Sequence, residues 1–139
     1  MAQMAESPIE GGLYGFGRRL GVPYDQAVER VKAALKSQGF GVLAEIDVRK
    51  TMKEKLDVDF RPYVILGACN PPLAHRAFSA DLDVGLLLPC NVVVYADGED
   101  KSIVRIMDPQ ALMSVAKNDD FVPLATEVRG RLEKALLAM

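Results

Sequence analysis

The chain has no tryptophan, one histidine and two cysteines among its 139 residues, and no apolar run approaches membrane-spanning length. Each shortage removes a class of function. A bilayer span needs ~20 consecutive apolar residues. A structural zinc site needs Cys-x-x-Cys or clustered His and Cys ligands, and neither pattern is here. A lone histidine with scattered serines gives no basis for a Ser-His-Asp set. Gly11-Gly12 and Gly15-x-Gly17 lack the Gly-Lys-Ser/Thr ending of a phosphate loop, and Gly-x-Gly-x-x-Gly is absent. Residues Met1 to Glu10 have neither the basic start nor the apolar stretch of a secretory signal. Nor is charge of one sign in excess. With 17 basic and 19 acidic residues the net charge is −2, which offers no footprint for nucleic acid or an anionic membrane. A cytoplasmic protein is expected, without nucleic-acid or membrane partners, its cysteines free thiols in a reducing compartment.

What is present suits a single domain over residues 11–139 preceded by a flexible lead-in over 1–10, with enough apolar residues for a core. Gly11 to Gly21 alternates as a glycine-rich first strand, where glycine marks a bulge or a close backbone approach. Pro23 starts a helix whose stripe is Ala27, Val28, Val31, Ala34 and Leu35, closed by Gly39. Val42 to Val48 alternates as a half-buried strand. Arg49 to Leu56 is a short solvent-facing helix carrying Met52 and Leu56, its mixed charges a solvated face. Tyr63 to Cys69 is a continuous apolar run, the pattern of a central strand covered on both faces.

Asn70-Pro71-Pro72 is a helix start, with Asn accepting from an orphan N–H and proline preset for the first turn. Leu73, Ala74, Ala77 and Phe78 then face inward, and His75, Arg76 and Ser79 outward. After a turn over Asp81 to Gly85, Val92–Ala96 and Ser102–Met107 form strands joined by the hairpin signal Asp97-Gly98-Glu99-Asp100. Asp108-Pro109 begins a helix carrying Ala111, Leu112 and Val115. A last helix runs from about Pro123 to Leu137. The order β-α-β-(short α)-β-α-β-β-α reads as α+β, with helices packed on one face of a mostly antiparallel sheet.

The one chemical asymmetry is the placement of the thiols. Cys69-Asn70 and Cys90-Asn91 sit at the edges of the two most apolar stretches, and His75 follows the first closely. The bland reading of both cysteines is small core side chains, since free cysteine is among the most buried residue types. A helix start just after Cys69 favours a thiolate, although Pro71 and Pro72 remove N–H donors. A metal site from Cys69, His75 and Cys90 matches no standard spacing, and none is assigned. The leading expectation is a small-molecule pocket lined by Cys69, Asn70, His75, Cys90 and Asn91, polar tips set against apolar strands. The alternatives are a thiol-dependent redox or sulfur-handling protein and a homodimerisation module.

The segments Gly67-Ala68-Cys69-Asn70-Pro71-Pro72-Leu73-Ala74 and Gly85-Leu86-Leu87-Leu88-Pro89-Cys90-Asn91-Val92-Val93-Val94-Tyr95 together resemble the bacterial and archaeal domain-of-unknown-function family numbered 302. The likeness runs from about Gly12 to the C-terminus and includes Gln38-Gly39-Phe40, Leu43-Ala44-Glu45-Ile46 and Lys55-Leu56. Asp57 stands where that pattern has glycine. The resemblance implies a TATA-binding-protein-like α+β fold, a curved antiparallel sheet with helices against one face, and association as a homodimer. It implies no activity, cofactor or substrate, and the nucleic-acid role of the fold's namesake does not travel with the architecture.

Overall fold

Alternating apolar residues in four strands and a helical stripe in two helices build the main core. A computed structural model describes residues 10–111 and 118–139. The lead-in expected over residues 1–10 falls outside the described residues except for Glu10. The helix expected after Asp108 is described only as far as Ala111, so Leu112 and Val115 also fall outside. Elements follow in the order β1 (Glu10–Gly11), β2 (Gly15–Leu20), α1 (Tyr24–Ser37), β3 (Gly41–Asp47), α2 (Val48–Leu56), β4 (Tyr63–Cys69) and α3 (Pro71–Ala80). A 3-10 segment (Leu82–Leu87), β5 (Cys90–Ala96), β6 (Ser102–Met107) and α4 (Phe121–Leu137) complete it.

The strands form one antiparallel sheet in the order β1-β2-β6-β5-β4-β3. Side chains alternate across a strand, so Phe16 and Leu20 of β2, Leu66 of β4, Val92 and Val94 of β5 and Val104 and Ile106 of β6 share one face. Onto it α1 lays Ala27, Val31 and Leu35, and α4 lays Leu132, Ala135 and Leu136. Arg129 of α4 binds Asp108, just past β6, and Glu133 at 2.8 Å, with its guanidinium 4.6 Å from the Phe16 ring centre. These contacts pin α4 against the end of β6.

The expected α+β architecture is observed, with helices on one side of the sheet, and several details correct the reading of the sequence. The first strand is two strands, because the chain reverses between Gly11 and Gly15 and leaves Leu13 and Tyr14 in solvent. Close backbone approach is why β2 is glycine-rich: a Cβ on Gly17 would stand 2.0 Å from the Val104 carbonyl oxygen. β3 is not half-buried. It is the sheet edge, a register shift between Val42 and Ala44 breaks its alternation, and only Val42 reaches the core. Ile46 and Leu43 are exposed in consequence.

β4 is an interior strand flanked by β3 and β5, but only one of its faces is sealed. Val64, Leu66 and Ala68 are buried, whereas Tyr63, Ile65 and Cys69 are half-buried. On this open face Tyr63 stacks on Tyr95 across the strand pair, ring centres 5.2 Å apart. The turn expected at Asp81–Gly85 is longer, a 3-10 segment capped by the Asp81 carboxylate accepting from the Asp83 N–H at 2.9 Å.

Candidate functional site

The site region is built by two turns that meet. At the end of α1 the N–H groups of Gly39 and Phe40 donate to the Lys36 and Leu35 carbonyls at 3.0 Å, and Gly39 takes φ +84°. This is the glycine-terminated helix end that leaves orphan carbonyls satisfied. At the start of α3 the Asn70 Oδ1 accepts from the Leu73 N–H at 3.4 Å, while its Nδ2 donates to the Gln38 carbonyl at 3.4 Å. Pro71 and Pro72 occupy the first helical positions, where a missing N–H costs nothing. Asn70 is 6% exposed with both ends of its amide engaged. It therefore acts as a cap that ties α3 to the end of α1, the first of the two roles open to it from sequence.

Beside this junction lies a cleft of about 270 Å³. Its floor is the end of the sheet at Ala68, Cys69 and Cys90, and α3 supplies Leu73, Ala77 and Phe78. The 3-10 segment and the residues after it form a second wall through Val84, Leu87 and Leu88, and α4 a third through Phe121 and Leu124. Among the described residues no charged side chain lines it. Leu73, Ala77, Val84, Phe121 and Leu124 make a small apolar cluster of their own, separate from the main core.

Three of the five residues expected at a pocket border this cleft: Cys69, Asn70 and Cys90. His75 and Asn91 do not, and regular geometry explains both. His75 lies on the outward face of α3, opposite Leu73 and Ala77 at helical spacing, and is exposed. Asn91 pairs with Gly67 in register and, one residue from Cys90 in a strand, takes the opposite face of the sheet. The trio Cys69, His75 and Cys90 is accordingly not brought together. The same alternation separates the thiols. Cys90 continues Val92 and Val94 on the helix-covered face, while Cys69 follows Gly67 and Ile65 on the open one. They meet only at the rim, where both β4 and β5 end against the cleft.

Both cysteines are free, Cys69 half-buried and Cys90 buried. Burial pushes the Cys69 thiol up from its ordinary value. Burial, with a smaller contribution from the nearby Cys69, pushes Cys90 up to about 11. The lowered value that a helix start favours is not realised. Two prolines supply no N–H, and the Leu73 N–H is taken by the Asn70 side chain.

Helical spacing places Ala77 and Phe78 inward, and with Leu124 they face a cavity and not a closed core. Periodicity distinguishes an inward face from an outward one, and a cavity wall is inward. The one local signal was the long apolar stretch Val84 to Pro89, in which Leu86 is 89% exposed because a 3-10 turn cannot present every side chain to one side.

A family model described as domain of unknown function DUF302 matches residues 16–139. A crystal structure of an uncharacterised conserved DUF302 protein from Bacillus stearothermophilus is similar at 30% identity and TM-score 0.83, covering 91% of this chain and 98% of that one. No curated protein matches the chain.

Proposed function

The chain belongs to the domain-of-unknown-function 302 family, a membership that carries architecture and no reaction, and we propose that it is a binding protein whose small-molecule site is the cleft at the Cys69 and Cys90 strand ends. The observation that carries this reading is the cleft itself, about 270 Å³ of preformed space between the sheet end, α3 and α4. Preformed concave sites lined mainly by apolar side chains are the usual form of ligand pockets. Cys90 and Asn70 belong to the wall, one as a neutral thiol and the other as the cap that fixes its shape. His75 and Asn91 have no part in it. The test is a fragment screen read by amide NMR shifts on the wild type, Cys69→Ala and Cys90→Ala. Saturable shifts confined to α3, the 3-10 segment and α4, altered by Cys90→Ala, are expected. Loss of thermal stability in the variants with no ligand-dependent shift in any form would reduce the cleft to a packing defect.

A second reading concerns self-association. Edge strand β3 leaves Leu43 70% and Ile46 51% exposed, and α2, which follows it in the chain, buries no residue. An edge with apolar side chains, unpaired among the described residues, is a surface suited to a second copy, and a homodimer is proposed on that ground. Light scattering over a range of concentrations tests it, with a mass fixed at one chain as the result that rejects it. A thiol-dependent redox role draws less support, because both thiols are pushed away from the reactive thiolate form.

A further inference from the structure

The cleft walls say more about a ligand than that one fits, and we infer, resting on the binding reading above, that the cleft takes a neutral aliphatic chain of roughly ten carbons with any polar head left outside. Three observations converge on this class. The first is the absence of charge, since every described side chain on the walls is neutral. A carboxylate, phosphate or ammonium placed inside would lose its hydration with no counter-charge among the described residues to replace it. The second is the state of the polar groups that are present. Asn70 spends its amide oxygen on the Leu73 N–H and its amide nitrogen on the Gln38 carbonyl. Cys90 is held as a protonated thiol, a weak donor and weak acceptor. Little remains to bind a sugar hydroxyl or a nucleobase edge, whose recognition requires convergent donors and acceptors.

The third is size and wall chemistry. A cavity of about 150 Å³ accepts benzene, so about 270 Å³ has room for a hydrocarbon of roughly ten carbons. The walls are mostly aliphatic, with Phe40, Phe78 and Phe121 as separate rings, and among the described residues no stacked ring pair stands in the cleft to favour a planar aromatic guest. Phe78 lies 39% exposed at the rim and lines the cleft, so a chain whose head reaches solvent need not be engulfed. Fatty alcohols and fatty acids share this chain, and a titration separates them.

The experiment is an amide NMR titration of the full chain with decanol, decanoate and tetraethylene glycol, the last a polar chain of comparable length, together with a mixture of nucleotides and amino acids. Decanol is expected to shift amides of α3, the 3-10 segment and α4 saturably, with tetraethylene glycol silent. Decanoate binding as tightly as decanol is expected, since the head stays in solvent; decanol binding with decanoate silent would place the head inside the cleft and overturn the exposed head. Ala77→Phe fills the cleft and is expected to weaken decanol at least roughly tenfold. Ala74→Leu does the same from a half-buried position if the first variant fails to fold. Cleft shifts produced by the polar mixture but not by decanol would overturn the aliphatic class and leave a binding site standing. Concentration-dependent cleft shifts without any probe would identify a second copy as the occupant and overturn it too. Silence from every probe would remove both readings.

Discussion

Two apolar regions of this molecule are built from the same residue types and packed to different standards. In the main core Leu20, Leu35, Leu66, Val92, Val94 and Leu132 are sealed completely, each held between a strand and a helix. In the smaller cluster Leu73, Val84, Phe121 and Leu124 each retain some exposure, and their shared space is a cleft. The main core is closed by long elements, four paired strands and two helices of fourteen and seventeen residues. The smaller cluster is closed by a ten-residue helix, a 3-10 turn and only the start of α4, which among the described residues leave the sheet end partly uncovered. Binding regions are drawn from the less tightly packed parts of a fold, and here the difference follows from element length.

The comparison can be broken at either side. Leu66→Ala removes methyl groups from a sealed site and should cost about 3 to 5 kcal/mol. Leu124→Ala, whose neighbours already face open space, should cost about 2 kcal/mol, the lower end of the same series. Equal losses by chemical denaturation would mean that the two regions are packed alike.

Gly17→Ala tests how closely β2 and β6 approach. A Cβ there meets the Val104 carbonyl oxygen at 2.0 Å and the Arg105 Cα at 2.9 Å, so the backbone must move. A loss of about 3 kcal/mol is expected, the upper part of the range for overpacking. A shift in melting temperature too small to resolve would show that the strands part without cost.

Alkaline pH probes the rim of the cleft through Cys90. Its thiol is neutral in the folded protein up to about 11, whereas an unfolded cysteine ionises near 8.5 to 9. Between those values the unfolded state has lost the proton and the folded state has kept it. The stabilisation is therefore complete below about pH 8.5 and disappears as pH rises through about 11, a fall on the order of 2 to 3 kcal/mol. Urea unfolding at pH 7.5, 9 and 10.5 measures it. Cys90→Ala should flatten the decline, and an unchanged slope would place the thiol in contact with water.

Asn70→Ala cuts the tie between the turns that border the cleft. Loss of the cap and of the bond to the Gln38 carbonyl should cost about 1 to 2 kcal/mol, with the affected amides confined to the start of α3 and the end of α1. Shifts spread through the sheet would show that the junction also supports the main core. Asp57→Gly should change least. Asp57 ends α2 at φ +53°, a left-handed position that glycine occupies without strain, but the substitution also removes the ion pair to Lys53 at 2.8 Å and frees the unfolded chain. A net change within about 0.5 kcal/mol is expected by thermal melting.

Most of the main core was legible in the linear order of residues. The α1 stripe, the hairpin signal at Asp97–Asp100 and the Asn70 cap are local patterns, and each appears where the spacing put it. Edges and coverings were not legible. Val42 to Val48 alternates as well as a half-buried strand does, yet a register shift and an edge position expose most of it. Tyr63 to Cys69 is apolar throughout, yet one face is left partly open, because apolarity shows tolerance of burial and cannot say whether a neighbour arrives.

The site shows the same division. Periodicity alone settles that His75 turns away from Leu73 and that Asn91 takes the face opposite Cys90, since both follow from fixed helical and strand repeats. The residues themselves determined the strands, the helix starts, the Asn70 cap and the family signature, all of which depend on neighbours a few positions away. Only the tertiary structure decided that β4 and β5 end side by side, that the two thiols share a rim while occupying opposite faces, and that α3 and α4 leave space between them. A cavity is a shortfall in packing among elements distant along the chain, and no single segment encodes the space it fails to fill.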